Sequence, residues 1–169
     1  MSAVVLETER LLLREFADDD LGAYAAMLAD PETMRYYTRP FTRDEARAFI
    51  EKNRYRYSVH GFGVWAVEER GSGAFLGDCG LAFVLVEGIA EVEIMWHVTR
   101  DRWRQGIAGE AAGAVRDHAF GPLGLRRLVA LVRPENVPSA GVARKIGMNV
   151  EREAVFSDLP HLVFSSSPG

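Results

Sequence analysis

Val92 to Ala112 (V-E-I-M-W-H-V-T-R-D-R-W-R-Q-G-I-A-G-E-A-A) brings together, within one short stretch, residue types able to take up a proton and residue types able to hold a polyanion. Glu91 to Val98 alternates as a strand. One face carries Val92, Ile94, Trp96 and Val98; the other carries Glu91, Glu93, Met95 and His97. Two carboxylates on one face raise each other's pKa, which moves an ordinary Glu from ~4.3 toward useful basicity. His97 shares that face and is the second candidate base, because an imidazole titrates close to working pH. The competing reading of the same residues is a polar, solvated strand face. A basic turn with Arg100, Arg102 and Arg104 follows. Gln105-Gly106-Ile107-Ala108-Gly109 then opens a helix expected to stack Ala108, Ala111, Ala112, Val115 and Ala119 on one side. The start of such a helix leaves backbone N–H groups unpaired at the positive end of its dipole, and these attract phosphate. The glycine spacing is not the dinucleotide fingerprint, and the chain contains no GxxxxGK[ST] string. A plain strand–turn–helix corner is the alternative.

Other chemistries find little support. The four histidines (His60, His97, His118, His161) lack ligand spacing, so no metal site is expected. The single cysteine, Cys79, lies in the apolar run Phe75 to Val84, where a buried inert thiol is the better reading. A net charge of −4 argues against direct nucleic-acid binding. No apolar run approaches the ~18 residues of a membrane span. Met1 to Glu7 lacks the basic start and apolar stretch of a signal peptide, so a cytoplasmic location is expected.

Several elements must position these residues. With 169 residues, nearly half of them apolar, one domain spanning 1–169 is expected, with its core at about 8–155 and a loose tail at 165–169. Thr8 to Phe16 reads as a first strand, and Asp18-Asp19-Asp20 as the cap of a helix over Leu21 to Ala29. A short helical turn is expected from Glu32 to Tyr37. A longer amphipathic helix runs from Thr42 or Arg43 to about Ser58, with Ala46, Phe49, Ile50 and Tyr57 inward. Phe62 to Glu69 and Ala74 to Leu85 form a hairpin across Gly71-Ser72-Gly73, and Glu87-Gly88 turns the chain into the Glu91 to Val98 strand. Gly121-Pro122 stops the central helix. A short apolar strand follows at Arg127 to Val132, then a helix at Ser139 to Ile146 and strands at Asn149 to Val155 and Leu162 to Phe164. This order describes a mixed, mostly antiparallel α/β sheet with helices on both faces.

Trp103-Arg104-Gln105-Gly106-Ile107-Ala108-Gly109-Glu110-Ala111, following Glu93-Ile94-Met95-Trp96-His97-Val98, resembles the acyl-CoA-binding motif of the GNAT N-acetyltransferases. The similar branch is the Rim-type one, which includes the ribosomal-protein-alanine N-acetyltransferases. T-E-R-L-L-L-R, D-P-E-T-M-R-Y-Y with T-R-D-E-A-R-A-F-I, and R-P-E-N-V-P-S-A-G-V-A-R-K-I-G-M extend the likeness from about Thr8 to Val150 in the right order.

The resemblance implies the GNAT fold, acetyl-CoA as co-substrate, and transfer of an acetyl group to a primary amine in a ternary complex. The acceptor would be a peptide N-terminus or a small-molecule amine, and a homodimer is admitted. Arg104, Gln105, Gly106, Ile107, Ala108 and Gly109 would cradle the pyrophosphate. Trp103 stands where many members carry Arg or Gln, a difference the Rim-type branch shares. The strand end at Trp96, His97 and Val98 would face the thioester with its backbone, and Asn136 and Ser139 the pantetheine arm. Asn136 and Ser139 also read as helix-capping residues. Glu93 falls on the family's strand glutamate, the base acting through water. Ser139 would assist at sulfur, because Ala143 replaces the tyrosine acid of many members. Tyr36, Tyr37, Phe41, Trp65 and Trp96 are aromatics that can line a substrate mouth or simply fill the core. A non-catalytic acyl-CoA or peptide-binding module on the same fold is the alternative.

Overall fold

The computed structural model describes residues 2–169. The chain starts with a small hairpin, β1 (Val4–Glu7) and β2 (Leu11–Arg14), in place of the one strand expected over Thr8 to Phe16. Thr8 breaks that strand. Its N–H reaches Leu11 O at 2.9 Å and its hydroxyl accepts the Leu11 N–H at 3.0 Å, which closes a tight turn. Asp18 to Asp20 form a single 3-10 turn ahead of α1 (Leu21–Ala29), and no side chain caps this helix. The Asp20 carboxylate instead points backward, to the Ala17 N–H at 2.7 Å and the Arg14 guanidinium at 2.8 Å. The helix expected over Glu32 to Tyr37 is a run of turns. The Asp30 carboxylate takes the N–H and hydroxyl of Thr33, so the local side chain wins over helix propagation.

Helix α2 (Arg43–His60) begins as read: Thr42 and Glu45 cap each other's backbone, and Gly61 ends the helix in the left-handed conformation. Strands β3 (Val64–Glu69), β4 (Phe75–Val86) and β5 (Ile89–Val98) form an antiparallel meander. Helix α3 (Ile107–Phe120), β6 (Leu128–Val132), α4 (Val137–Lys145), β7 (Asn149–Phe156) and β8 (Leu159–Ser166) complete the chain. The loose tail therefore shrinks to the last three residues, because Ser165 and Ser166 pair with Val129 and Leu128.

All eight strands belong to one sheet ordered β1-β2-β3-β4-β5-β6-β8-β7. Among the described residues its only parallel contact is β5 with β6. Alternation divides the apolar side chains between the two faces of the sheet. Leu11, Leu13, Trp65 and Ile94 face α3 and α4, while Phe16 and Ala66 face α1 and α2. On α3, Ile107 is buried with Ala111, Ala112, Val115 and Ala119, whereas Ala108, expected inward, stays half-exposed on the first turn. Among the described residues no helix is long and apolar enough to cross a membrane.

Asn53 docks α2 on the sheet. Fully buried, it accepts the Val64 N–H at 2.9 Å and donates to Phe49 O at 2.9 Å. Asn53→Ala strands that buried N–H and is expected to cost about 1–3 kcal/mol, a fall in Tm of roughly 4–10 °C by thermal melt. An unchanged Tm would contradict the docking role.

Candidate active site

Antiparallel pairing with β4 holds β5 from Ile89 to Val98, whereas the only registered β6 partner is Glu93 with Val129. Beyond that pair the two strands part. Thr99 donates its N–H to Leu76 O at 2.8 Å, so in a strand of period 2 the odd-numbered backbone groups point to β4. Those of Trp96 and Val98 point into the gap. The expectation of a strand end presenting its backbone at Trp96, His97 and Val98 thus narrows to Trp96 and Val98; Met95 and His97 spend their groups on β4. The gap forms a slot bordered on one side by Trp103, whose indole N–H donates to Val98 O at 2.8 Å.

At the mouth of the slot the chain bends outward through Arg104 (φ 62°) and Gly106 (φ 76°). A non-glycine residue in this region is uncommon and marks a constrained turn. The first helical bond of α3 is Glu110 N–H to Gly106 O at 3.1 Å. Among the described residues, the N–H groups from Arg104 through Gly109 have no hydrogen-bond partner in the chain. Arg10 and Glu110, which sequence reasoning passed over, hold this cradle in place. Arg10 donates to Gln105 O and to Glu110, each at 2.7 Å, and Glu110 also accepts the Thr8 hydroxyl at 2.6 Å. Lys145, at the end of α4, was also missed. Its Nζ lies 3.3 Å from where a Cβ on Gly109 would sit, so glycine there makes room for a cation beside the positive helix end. That juxtaposition is repulsive until an anion enters.

The three turn arginines are not equivalent. Arg100 pairs with Asp30 at 3.5 Å, and Arg102 is bound to Glu69 and, at 3.2 Å, to Gln105. Arg104 is exposed and, among the described residues, has no carboxylate partner.

The acidic strand face also divides. Glu91 does not raise the pKa of Glu93, contrary to expectation, because Arg127 grips it at 2.9 and 3.0 Å and itself binds Glu151 at 2.6 Å. Glu93, two residues on, accepts no hydrogen bond among the described residues. Burial pushes its pKa up to about 7, although His97 and Arg56 pull the other way. His97 is enclosed. Its Nδ1 lies 2.8 Å from Asp78 and its Nε2 lies 2.5 Å from the Tyr37 hydroxyl. Burial alone would lower the imidazole pKa, but Asp78 and Glu93 outweigh it and the net shift is upward.

Across the slot, α4 presents Asn136 and Ser139. Asn136 caps the helix through the Ser139 N–H at 3.2 Å, so the capping reading holds. The Ser139 hydroxyl is half-buried and unbonded among the described residues. Ala143 is completely buried against the core and supplies no acid. Of the aromatics, Trp65 is core and stacks on Tyr57, while Tyr37 is 41% exposed at the slot. Among the described residues no cluster of His, Cys, Asp and Glu is arranged to hold a metal ion, and Cys79 is buried, as read from its apolar run.

The family model described as an acetyltransferase (GNAT) domain matches residues 10–149. The chain is 33% identical over 150 residues to an uncharacterized N-acetyltransferase, YnaD, of Bacillus subtilis, covering 86% of this chain and 83% of that one. It is similar to the crystal structure of an acetyltransferase from Agrobacterium tumefaciens, at 31% identity and TM-score 0.87, covering 99% of this chain and 96% of that one. It shares its fold with Mycobacterium smegmatis RimJ in complex with CoA-disulfide, at 22% identity and TM-score 0.73, covering 93% and 81% of the two chains.

A carboxyl whose pKa rises to about 7 on folding holds its proton longer in the folded state, so its contribution to stability fades as pH climbs from about 4.5 to about 7. Glu93→Gln removes that loss. The variant is expected to match the parent Tm at pH 4.5 and to exceed it at pH 8 by an amount worth about 1–3 kcal/mol. Equal melting at both pH values would contradict an isolated, desolvated Glu93.

Proposed function

The chain belongs to the GNAT acetyltransferase family, and from that premise we propose that it transfers the acetyl group of acetyl-CoA directly to a primary amine in a ternary complex. The observation that carries the reading is the position of Glu93. It stands at the last β5–β6 pair, where the slot begins, with a raised pKa and, among the described residues, nothing bonded to it.

In this reading the pyrophosphate rests on the N–H groups of Arg104 to Gly109, with Arg104 and Lys145 adding charge. Val98 lies five residue steps beyond Glu93, and at ~3.4 Å per step this spans ~17 Å for the pantetheine arm. Trp96 and Val98 offer it backbone groups from β5; Asn136 and Ser139 meet it from α4. The acetyl group then lies beside Glu93. Glu93 takes the proton of the amine through a water, the nitrogen attacks the carbonyl carbon, and backbone N–H groups at the strand end stabilise the oxyanion. The thiolate of CoA leaves readily, with a pKa of ~8.5 like that of cysteine, and the Ser139 hydroxyl donates to the sulfur. An α-amine at ~7.7–8.0 yields its proton two to three units more easily than a lysine at ~10.4, so a base near 7 suits a peptide N-terminus or a small amine of similar acidity.

Acetyl transfer, followed by free thiol release across N-terminal peptides, polyamines, amino acids and aminoglycosides, is the test. For the best acceptor, kcat/KM is expected to rise with pH through about 7 as Glu93 loses its proton. Glu93→Gln should lower kcat by ~10²-fold or more while CoA affinity stays within twofold; full turnover by that variant would remove Glu93 from the mechanism. Lys145→Ala should weaken CoA binding by roughly 3–10-fold, less at high salt. Salt-independent, unchanged affinity in calorimetry would place the phosphates elsewhere.

A further inference from the structure

The chamber next to Glu93 holds a chain of titratable groups that the mechanism above leaves idle. Asp78, on β4, is 1% exposed and uses one oxygen to accept the Tyr24 hydroxyl of α1 at 2.7 Å, the other to hold His97 Nδ1 at 2.8 Å. His97 Nε2 in turn meets the Tyr37 hydroxyl at 2.5 Å. Tyr37 lies on the loop after α1, and its neighbour is tied to the opposite rim: Arg133, just past β6, donates to Tyr36 O at 3.2 Å. Consecutive residues thus bridge the slot where β5 and β6 part, and the phenol is fixed over it.

We propose that Tyr37 is the acid that protonates the departing CoA sulfur, with His97 and Asp78 as positioning residues that resupply its proton. This rests on the acetyl-transfer reading. Three observations support it. The attacking nitrogen and the leaving sulfur share one carbon, so base and acid must serve a single small chamber; burial, with Asp78 and Glu93, pushes the Tyr37 phenol pKa up, so it gives up its proton only as His97 replaces it. Ala143 is buried in the core, and a serine hydroxyl at position 139 can donate a hydrogen bond but is far too weak an acid to give up a proton. Finally, with His97 protonated, Nδ1–H goes to Asp78 and Nε2–H goes to the Tyr37 oxygen, leaving the phenol proton free to point into the chamber. The groups facing His97 favour this state: Asp78 from β4 and Glu93 from β5 both pull its pKa upward, and Arg56 from α2 acts mainly on Glu93.

The step balances. The N–C bond forms and the C–S bond breaks; sulfur takes the phenol proton as His97 Nε2 passes its own to the phenol oxygen. Water reprotonates His97, and the amine proton leaves through Glu93. Amine and thioester become amide and thiol. The effective donor is the imidazolium, and the phenol relays its proton to the sulfur, so no phenolate accumulates.

The test compares pH–kcat profiles of the parent, Tyr37→Phe and His97→Gln, using the best acceptor, with Tm and CoA affinity measured alongside. The parent should show a falling limb on the alkaline side, as His97 empties. Tyr37→Phe should lose ~10–100-fold in kcat and lose that limb, with CoA affinity within twofold and the rising limb of Glu93 intact. A lowered Tm or raised KM with kcat and the alkaline limb unchanged would reduce Tyr37 to a structural strap and overturn the proposal alone. If His97→Gln fails to fold, Tyr37→Phe, which removes one oxygen, decides. Absence of turnover by the parent on every amine and on water would overturn the transferase reading and this one with it.

Discussion

One strand with two different neighbours governs this molecule. Along β4, β5 is saturated with hydrogen bonds; along β6, it keeps a single registered pair at Glu93 and Val129. A sheet interior cannot leave buried main-chain groups unpaired at no cost. The separation therefore requires a ligand, water or side chain to complete it, and Trp103 already does so for the Val98 carbonyl. From that parting follow the slot itself, the direction of the Trp96 and Val98 backbone groups into it, and the outward bend that, among the described residues, leaves the N–H groups from Arg104 to Gly109 free.

The same strand shows how environment separates identical side chains. Glu91 and Glu93 point the same way, two residues apart. Arg127 grips the first within an ion-pair network that ties β5 to β7. The second lies in the chamber without a partner, and burial brings its titration close to neutrality. A carboxylate chelated by a guanidinium is a poor proton acceptor, because protonation would break the pair. An isolated one is ready for the task. His97, on the same face, is neither isolated nor chelated. It is strung between an acid and a phenol, a geometry suited to passing a proton onward.

Much of this was legible in the residues. Strand alternation has period 2, so Glu93 and His97 had to share a face. Glycine placement and a helix start pointed to the unpaired N–H groups that the fold has from Arg104 to Gly109 among the described residues. The hairpin at Gly71-Ser72-Gly73 and the cap at Thr42 with Glu45 are local devices and were read locally. What escaped notice depended on distant contacts. Asp78 sits inside an apolar run that reads as a buried strand, and its importance comes from Tyr24 and His97, far away in the chain. Lys145 reaches Gly109 only because α4 packs beside α3. Arg127 cancels Glu91 across two strands, which overturned the expected carboxylate pair. Thr8 and Asp30 misled for another reason: side chains that bond their own backbone defeat strand and helix periodicity over a few residues.

The most direct test of the central claim is amide-resolved NMR of the chain titrated with CoA. The slot and its cradle predict that the largest shifts and the strongest gain in exchange protection fall on Arg104 to Gly109, followed by the amides of Trp96 and Val98. Met95 and His97, already bonded to β4, should change less. Perturbations centred elsewhere, with Gly106 to Gly109 unmoved at saturation, would contradict the account.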